Sequence, residues 1–157
     1  MLQKKRLTPE QAIQKLKHYC AYQDRSHAEV KEKLYSFGLW KQDVEKAISQ
    51  LIEEDYLNEE RFAKAFAGGK FRMKQWGRVK IKYELKQKQV SEYCIKKGLN
   101  EIDEDDYQRT AKKLYEAKLL TLKTEKNFLV KKKKIMDYLL QKGYEYDLIK
   151  GLINEQS

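Results

Sequence analysis

The chain has 157 residues, with 34 Lys and Arg against 24 Asp and Glu for a net charge of +10, and a hydrophobic fraction of 41%. That length suits one ordinary domain or a few small units sharing a core, and 37% charged residues with a single proline suit a helical protein with a wet surface. Two cysteines are too few for a stapled secreted framework, and no run reaches the roughly 18 apolar residues of a membrane helix, so a soluble, cytoplasmic protein is expected.

In chain order, Thr8 precedes Pro9 and stands three residues before Gln11, so hydroxyl and amide can satisfy each other's orphan backbone donors and start a helix. Ala12, Ile13, Leu16 and either Tyr19 or Cys20 then line one face to about Tyr22. Ser26 caps a second helix with Glu29 at its third position and Val30, Leu34 and Phe37 on one stripe; Gly38 stands where a left-handed residue would end it. Val44, Ile48, Leu51 and Ile52 mark a third helix. The first third is thus a three-helix unit.

The unit recurs. Aligning Leu34 with Leu85 and Leu139 brings Val30, Ile81 and Ile135 together four residues upstream. Val44, Ile95 and Ile149 coincide ten residues downstream, and Ile48, Leu99 and Ile153 fourteen downstream. The stop signal repeats as Gly38 and Gly143, with Gln89 in the middle copy. The pattern predicts an all-α fold of three tandem helix triplets, residues 1–57, 58–102 and 103–157, in an elongated, curved molecule. Their first helices are Thr8 to Tyr22, Glu59 to Met73 and Glu104 to Leu119. From Val79 to Leu85, however, apolar and polar residues alternate as in a strand, and Gly68, Gly69 and Gly77 would supply turns for a basic hairpin. Helix is preferred, because Ile81 and Leu85 lie on the repeat register and Glu84, Lys86, Gln87 and Lys88 are good helix formers.

Charge is uneven along these triplets. The first holds 10 basic and 9 acidic residues, the second 12 and 5, the third 12 and 10. From Arg61 to Lys88 ten basic residues face Glu84 alone, which points to a polyanionic partner. Lys82 and Lys86 share a helix face and Lys80 flanks the other side of the Ile81 and Leu85 stripe, placed to line a cleft between triplets. Phe71, Trp76 and Tyr83 either stack on exposed bases or serve as core and hinge aromatics. The run Lys131 to Lys134 spreads around its helix and reads as a solvated face or a second polyanion contact.

Chemistry at a catalytic centre finds little support. His18 and His27 have no zinc-ligand spacing, and the acids Asp103, Glu104, Asp105 and Asp106 read as the capped start of a helix rather than a magnesium cluster. Gly68 and Gly69 lack the Lys-Ser or Lys-Thr of a phosphate loop. No enzyme, metal or cofactor is expected.

The run DYLNEERFAKAFAGGKF from Asp55, followed by WGRVKIKYELKQKQV, resembles the signature of the RecX family of bacterial recombinase regulators. Leu57, Asn58, Glu59, Arg61, Phe62, Ala63, Phe66 and Lys70 match the part built on its Leu-Asn/Asp-acidic-x-Arg-Phe-Ala core, and Gly77, Ile81, Glu84, Leu85 and Lys88 its Gly-x-x-x-Ile-x-x-Glu-Leu-x-x-Lys-Gly-Ile run. Ser26, Glu29, Lys33 and Leu34 match an earlier family motif. The similarity runs from about Ile13 to Leu99, and covers the third triplet mainly through the register. Gln89 departs from the family's glycine, and Trp76 and Arg78 from the aromatic and proline that flank Gly77 there.

The resemblance implies three tandem three-helix repeats, and a regulator that binds the RecA recombinase filament on single-stranded DNA along its groove, for which a monomer is the simpler expectation. It further implies restraint of ATP hydrolysis, strand exchange and filament persistence, hence a role in DNA repair, homologous recombination and the SOS response. Arg61, Lys70, Arg72, Lys74, Arg78, Lys80, Lys82 and Lys86 are the candidate contacts to filament and DNA. The residues alone leave open a free-standing basic nucleic-acid-binding module, or a basic scaffold with a purely protein partner.

Overall fold

The computed structural model describes residues 6–155; Met1 to Lys5, Gln156 and Ser157, at the outer ends of the first and third triplets, lie outside the described residues. Among the described residues there are nine helices and no strand. The first triplet is α1 (Pro9–Tyr22), α2 (His27–Ser36) and α3 (Lys41–Glu53). Then come α4 (Glu59–Lys74), α5 (Arg78–Gln87) and α6 (Glu92–Leu99), and last α7 (Glu104–Thr121), α8 (Phe128–Lys142) and α9 (Tyr146–Glu155). No helix among them is long and apolar enough to cross a membrane.

Side-chain caps begin most of these helices. Thr8 and Gln11 form the reciprocal capping box, the Ser26 hydroxyl accepts from the Glu29 amide at 3.1 Å, and Asn58 Oδ1 accepts from the Arg61 amide at 2.9 Å. The acidic run at 103–106 does the same work: Asp103 accepts from the Asp106 amide at 3.0 Å and starts α7. The alternating segment 79–85 is helical because Ile81 and Leu85, one turn apart, are both fully buried, whereas Val79 and Tyr83 are exposed. Gly68 and Gly69 lie inside α4 rather than in a turn.

The repeat register is the core. Leu34, Leu85 and Leu139 are fully buried, as are Val30 and Ile81, and Ile135, Val44, Ile95 and Ile149 are buried with them. Ile48 and Leu99 are only half-buried, and Ile52 is exposed. Gly38 and Gly143 take φ of +84° and +99°, and Gln89 takes +62° in the middle copy. In both later copies the next amide closes back on the register leucine, Val90 to the Leu85 carbonyl and Tyr144 to the Leu139 carbonyl, each at 3.1 Å. Gln89 therefore ends α5 as the glycines end their helices, at a cost of about 1 kcal/mol for a side chain in that region.

By compactness the chain forms two units, one of the described residues up to Ala65 with Leu85–Gly98, the other Phe66–Glu84 with Leu99 onward. The division passes through α4 and α5. In the first unit, Ala12, Leu16, Cys20, Val30, Leu34, Val44, Ala47 and Leu51 make one cluster under Leu39 and Leu57. There Gly98 lets α6 approach α4 closely, since a Cβ at 98 would stand 2.6 Å from the Ala63 carbonyl oxygen. Both thiols, Cys20 and Cys94, are buried in this unit, and burial raises their pKa above the ordinary value.

In the second unit the loop between α4 and α5 lies backbone to backbone on the end of α8. The Gly77 amide donates to the Lys142 carbonyl at 2.8 Å and the Val79 amide to the Gly143 carbonyl at 2.9 Å. A Cβ at 77 would overlap Gly143, so glycine is required here for close approach rather than for its dihedral angles. Beneath this clasp Tyr107 stacks between Phe71, at 5.8 Å, and Tyr144, at 5.1 Å. The Tyr107 hydroxyl accepts from the Arg78 amide at 2.9 Å and donates to Glu145 Oε1 at 2.7 Å, while Tyr144 donates to the Gln75 carbonyl at 2.9 Å.

Gly77→Ala should lower the unfolding free energy by at least about 1–3 kcal/mol, the range for forced overpacking. Gly69→Ala, at a helical site with nothing within 4 Å, should raise it by about 0.5–1 kcal/mol; denaturant titrations of both variants check the pair.

Burial pushes the Tyr107 and Tyr144 phenols far above the ordinary tyrosine value, with the Glu145 carboxylate adding to it. Both stay neutral in the folded state while the unfolded chain ionises them near pH 10, so their contribution is complete below about pH 10 and declines above it. Unfolding free energy should fall beyond about pH 10 by about 1.4 kcal/mol per pH unit for each tyrosine, and Tyr107→Phe should make that slope shallower.

Candidate functional site

The predicted basic residues have distinct fates. Arg61 is held inside the first unit: Nε donates to Asp24 Oδ1 at 2.6 Å, Nη1 to Asp55 Oδ1 at 3.1 Å and Nη2 to the Asp55 carbonyl at 3.0 Å. The hydrogen bond to Asp24, more than any other influence, raises its pKa further above the usual guanidinium value. Arg78, in the second unit, is paired with Glu104, and its guanidinium lies 3.9 Å from the Tyr107 ring centroid. Gln108 first and Arg78 second hold the Glu104 carboxyl below its ordinary value. Both arginines therefore fasten the fold.

The remaining cations of the second unit gather differently. Lys70 lies one turn beyond Phe66 on α4, and its ammonium sits 5.5 Å from the Phe66 ring and 5.1 Å from the Trp76 ring. Lys80, in the first turn of α5, brings its ammonium 4.6 Å from Trp76. The indole meets Phe66 edge-on at 6.4 Å and is half-buried, so it is steadied by one ring and flanked by two ammonium groups. Neither ammonium is paired with a carboxylate among the described residues. The Gly77 clasp directly follows Trp76 and fixes the chain between the indole and Lys80.

Arg72, Lys74 and Lys82 are exposed on the same unit, with Arg72 folded back along α4 against Gly68. Lys142 is an addition that charge counting overlooks. Its ammonium donates to the Lys74 carbonyl at 3.3 Å, at the carbonyl end of α4 where a cation is favoured. Lys86 is exposed on the first unit, and Lys88 there is paired with Glu29 at 3.0 Å. Of the three aromatics, Phe71 is core, Trp76 is shared between core and surface, and Tyr83 is 60% exposed. In the third triplet Lys133 pairs with Asp137 at 3.1 Å and Lys134 with the half-buried Glu125 at 3.7 Å, both lysines being exposed.

Such an arrangement can neutralise phosphates and offer a ring face to a base; it carries no base-reading pattern. The fold and this surface define an all-helical protein built of three-helix units with a basic, aromatic-bearing face. Residues 58–99 match the second three-helix domain of RecX and residues 104–153 its third, so the last triplet matches directly and not through register alone. The chain belongs to the RecX family. It is 35% identical over 130 residues to the regulatory protein RecX of Clostridium perfringens strain 13, covering 82% of this chain and 60% of that one. With the RecX of Chlorobaculum tepidum it shares 31% identity over 82% of this chain and 79% of the relative. Among solved structures, RecX from Lactobacillus salivarius superposes with a TM-score of 0.83 at 25% identity, covering 94% and 95% of the two chains. The chain spans about three-fifths of the length of the clostridial relatives it matches.

Arg61→Ala should cost about 1–2 kcal/mol of stability, since it strips charged hydrogen bonds from Asp24 and Asp55 at a partly exposed site. Lys82→Ala should change stability by less than about 0.5 kcal/mol; thermal melts of the two variants separate the structural cation from the available one.

Proposed function

We propose that this protein binds the RecA recombinase filament on single-stranded DNA and restrains its ATP hydrolysis, strand exchange and persistence. It acts as a cytoplasmic monomer by binding rather than by catalysis, with the triplets 1–57, 58–102 and 103–157 as its repeating units. The observation that carries this reading is the Trp76 indole with the Lys70 and Lys80 ammonium groups both within about 5 Å of its ring, and Arg72, Lys74 and Lys82 exposed on the same unit. Membership in a family of regulatory proteins supports the same conclusion. A surface of this kind meets a groove lined with phosphate and acidic protein, and long-range attraction speeds the encounter. Lys86 is a separate exposed cation of the first unit, whereas Arg61 and Arg78 each hold their own unit in shape.

The alternative, a free-standing nucleic-acid-binding module, predicts tight, salt-sensitive binding to naked DNA or RNA that needs no recombinase. The test is binding of a fluorescently labelled protein to RecA filaments locked with a slowly hydrolysed ATP analogue. Reversing charge together at Lys74, Lys80 and Lys82 should weaken filament binding by more than about tenfold while far-UV circular dichroism stays unchanged. Unchanged affinity in that triple variant would overturn the assignment of this surface.

A further inference from the structure

A second cation-and-ring surface lies in the first unit, on α1 and α2. Lys15, Tyr19 and Tyr22 follow one another at i, i+4 and i+7 along α1, and Lys33 and Phe37 lie four apart at the end of α2. Together with Arg25 they line a hollow of about 500 Å³, within the range of small-ligand sites. Arg25 is already in place: its Nε donates to the Tyr19 carbonyl at 3.0 Å and its guanidinium lies 3.8 Å from the Tyr19 ring centroid. The Lys33 ammonium sits 5.6 Å from the Tyr19 ring and 5.9 Å from that of Phe37, and the Lys15 ammonium 5.9 Å from Phe37. No carboxylate lines the hollow, and the neighbouring acids Asp24 and Glu29 are engaged by Arg61 and Lys88. The Tyr22 ring is 83% exposed, so its faces add little to the core.

We infer that this hollow is a binding site for single-stranded nucleic acid, with Lys15, Lys33 and Arg25 meeting phosphate and Tyr22 stacking on a base. An ordinary solvated helix face accounts less well for the arrangement. Such a face carries mixed charges, whereas here three cations converge on the Tyr19 and Phe37 rings and a third ring, Tyr22, stands open beside them. Arg25 is fixed before any ligand arrives, so little side-chain freedom is lost on binding. Charge counted along the sequence hides this surface, because acids elsewhere in the first triplet cancel its cations. The site is distinct from the Trp76 surface of the second unit.

The test is a fluorescence anisotropy titration with labelled oligothymidylate at low salt, repeated with an abasic oligomer of the same length and with oligoglutamate. It is run on the full chain, on Trp76→Ala with Lys80→Glu, and on Tyr22→Ala, Tyr22→Phe and Lys15→Glu with Lys33→Glu, each checked for helicity. Tyr22→Ala should weaken oligothymidylate binding by roughly five- to a hundredfold, the range for one stacked base, while Tyr22→Phe keeps it and the abasic oligomer is insensitive to the change. The Lys15 and Lys33 reversal should lower the salt slope by about 1.4, two phosphate contacts on a single strand. Loss confined to the Trp76 and Lys80 variant would overturn this site and leave the filament reading standing. Equal binding of oligoglutamate, or an unaltered affinity in Tyr22→Ala, would overturn it as well.

Discussion

Everything in the second unit depends on one close approach, the Gly77 backbone lying on the Lys142 and Gly143 carbonyls. The two amide hydrogen bonds join the start of α5 to the end of α8 across 65 residues of sequence, and they form only because no Cβ intervenes. Main-chain contacts of this kind fix position more tightly than side chains do, since few rotatable bonds separate the joined groups. Tyr107 fills the space beneath, and its hydroxyl satisfies the Arg78 amide and Glu145 together. The clasp leaves the residues on either side of Gly77 little freedom.

That constraint is what turns a basic stretch into a surface. Trp76 immediately precedes the clasp and Lys80 follows within one turn, so the ring and the ammonium are held together by the same two backbone bonds. Lys70 and Phe66 complete the surround from α4. Two of the arginines in the same run go another way. Arg61 and Arg78 find carboxylates and become part of the scaffold, as planar guanidinium groups with several donors often do, while Lys74, Lys80 and Lys82 keep their charge for solvent or a partner.

The sequence reading reaches far into the fold and less far into the site, for physical reasons. Val30, Leu34, Leu85 and Ile135 recur at helical spacing because one face of each helix must be apolar, and that requirement is local enough to read from one sequence. Capping is equally local, so Thr8, Ser26 and Asp103 were legible as helix starts. Ion pairing is not local. Arg61 meets Asp24 from 37 residues away and Arg78 meets Glu104 from 26, so only tertiary structure separates a fastening arginine from an available lysine. The role of Gly77 was also hidden, because a glycine needed for close approach looks the same in sequence as a glycine needed for a turn. Lys142 and the cations beside Tyr19 and Phe37 were hidden for the reason that hid the ion pairs, since they meet their neighbours only in the folded chain.

Regulation of a recombinase filament, the role proposed for this protein, is distinct from simple binding of nucleic acid by a basic surface. Its most direct test is single-stranded-DNA-dependent ATP hydrolysis by RecA, with this protein added from well below up to recombinase concentration and its affinity for the bare DNA measured in the same buffer. In that role hydrolysis falls at substoichiometric amounts, under conditions where the bare DNA is scarcely occupied. Hydrolysis that holds steady until the protein saturates the bare DNA would contradict it.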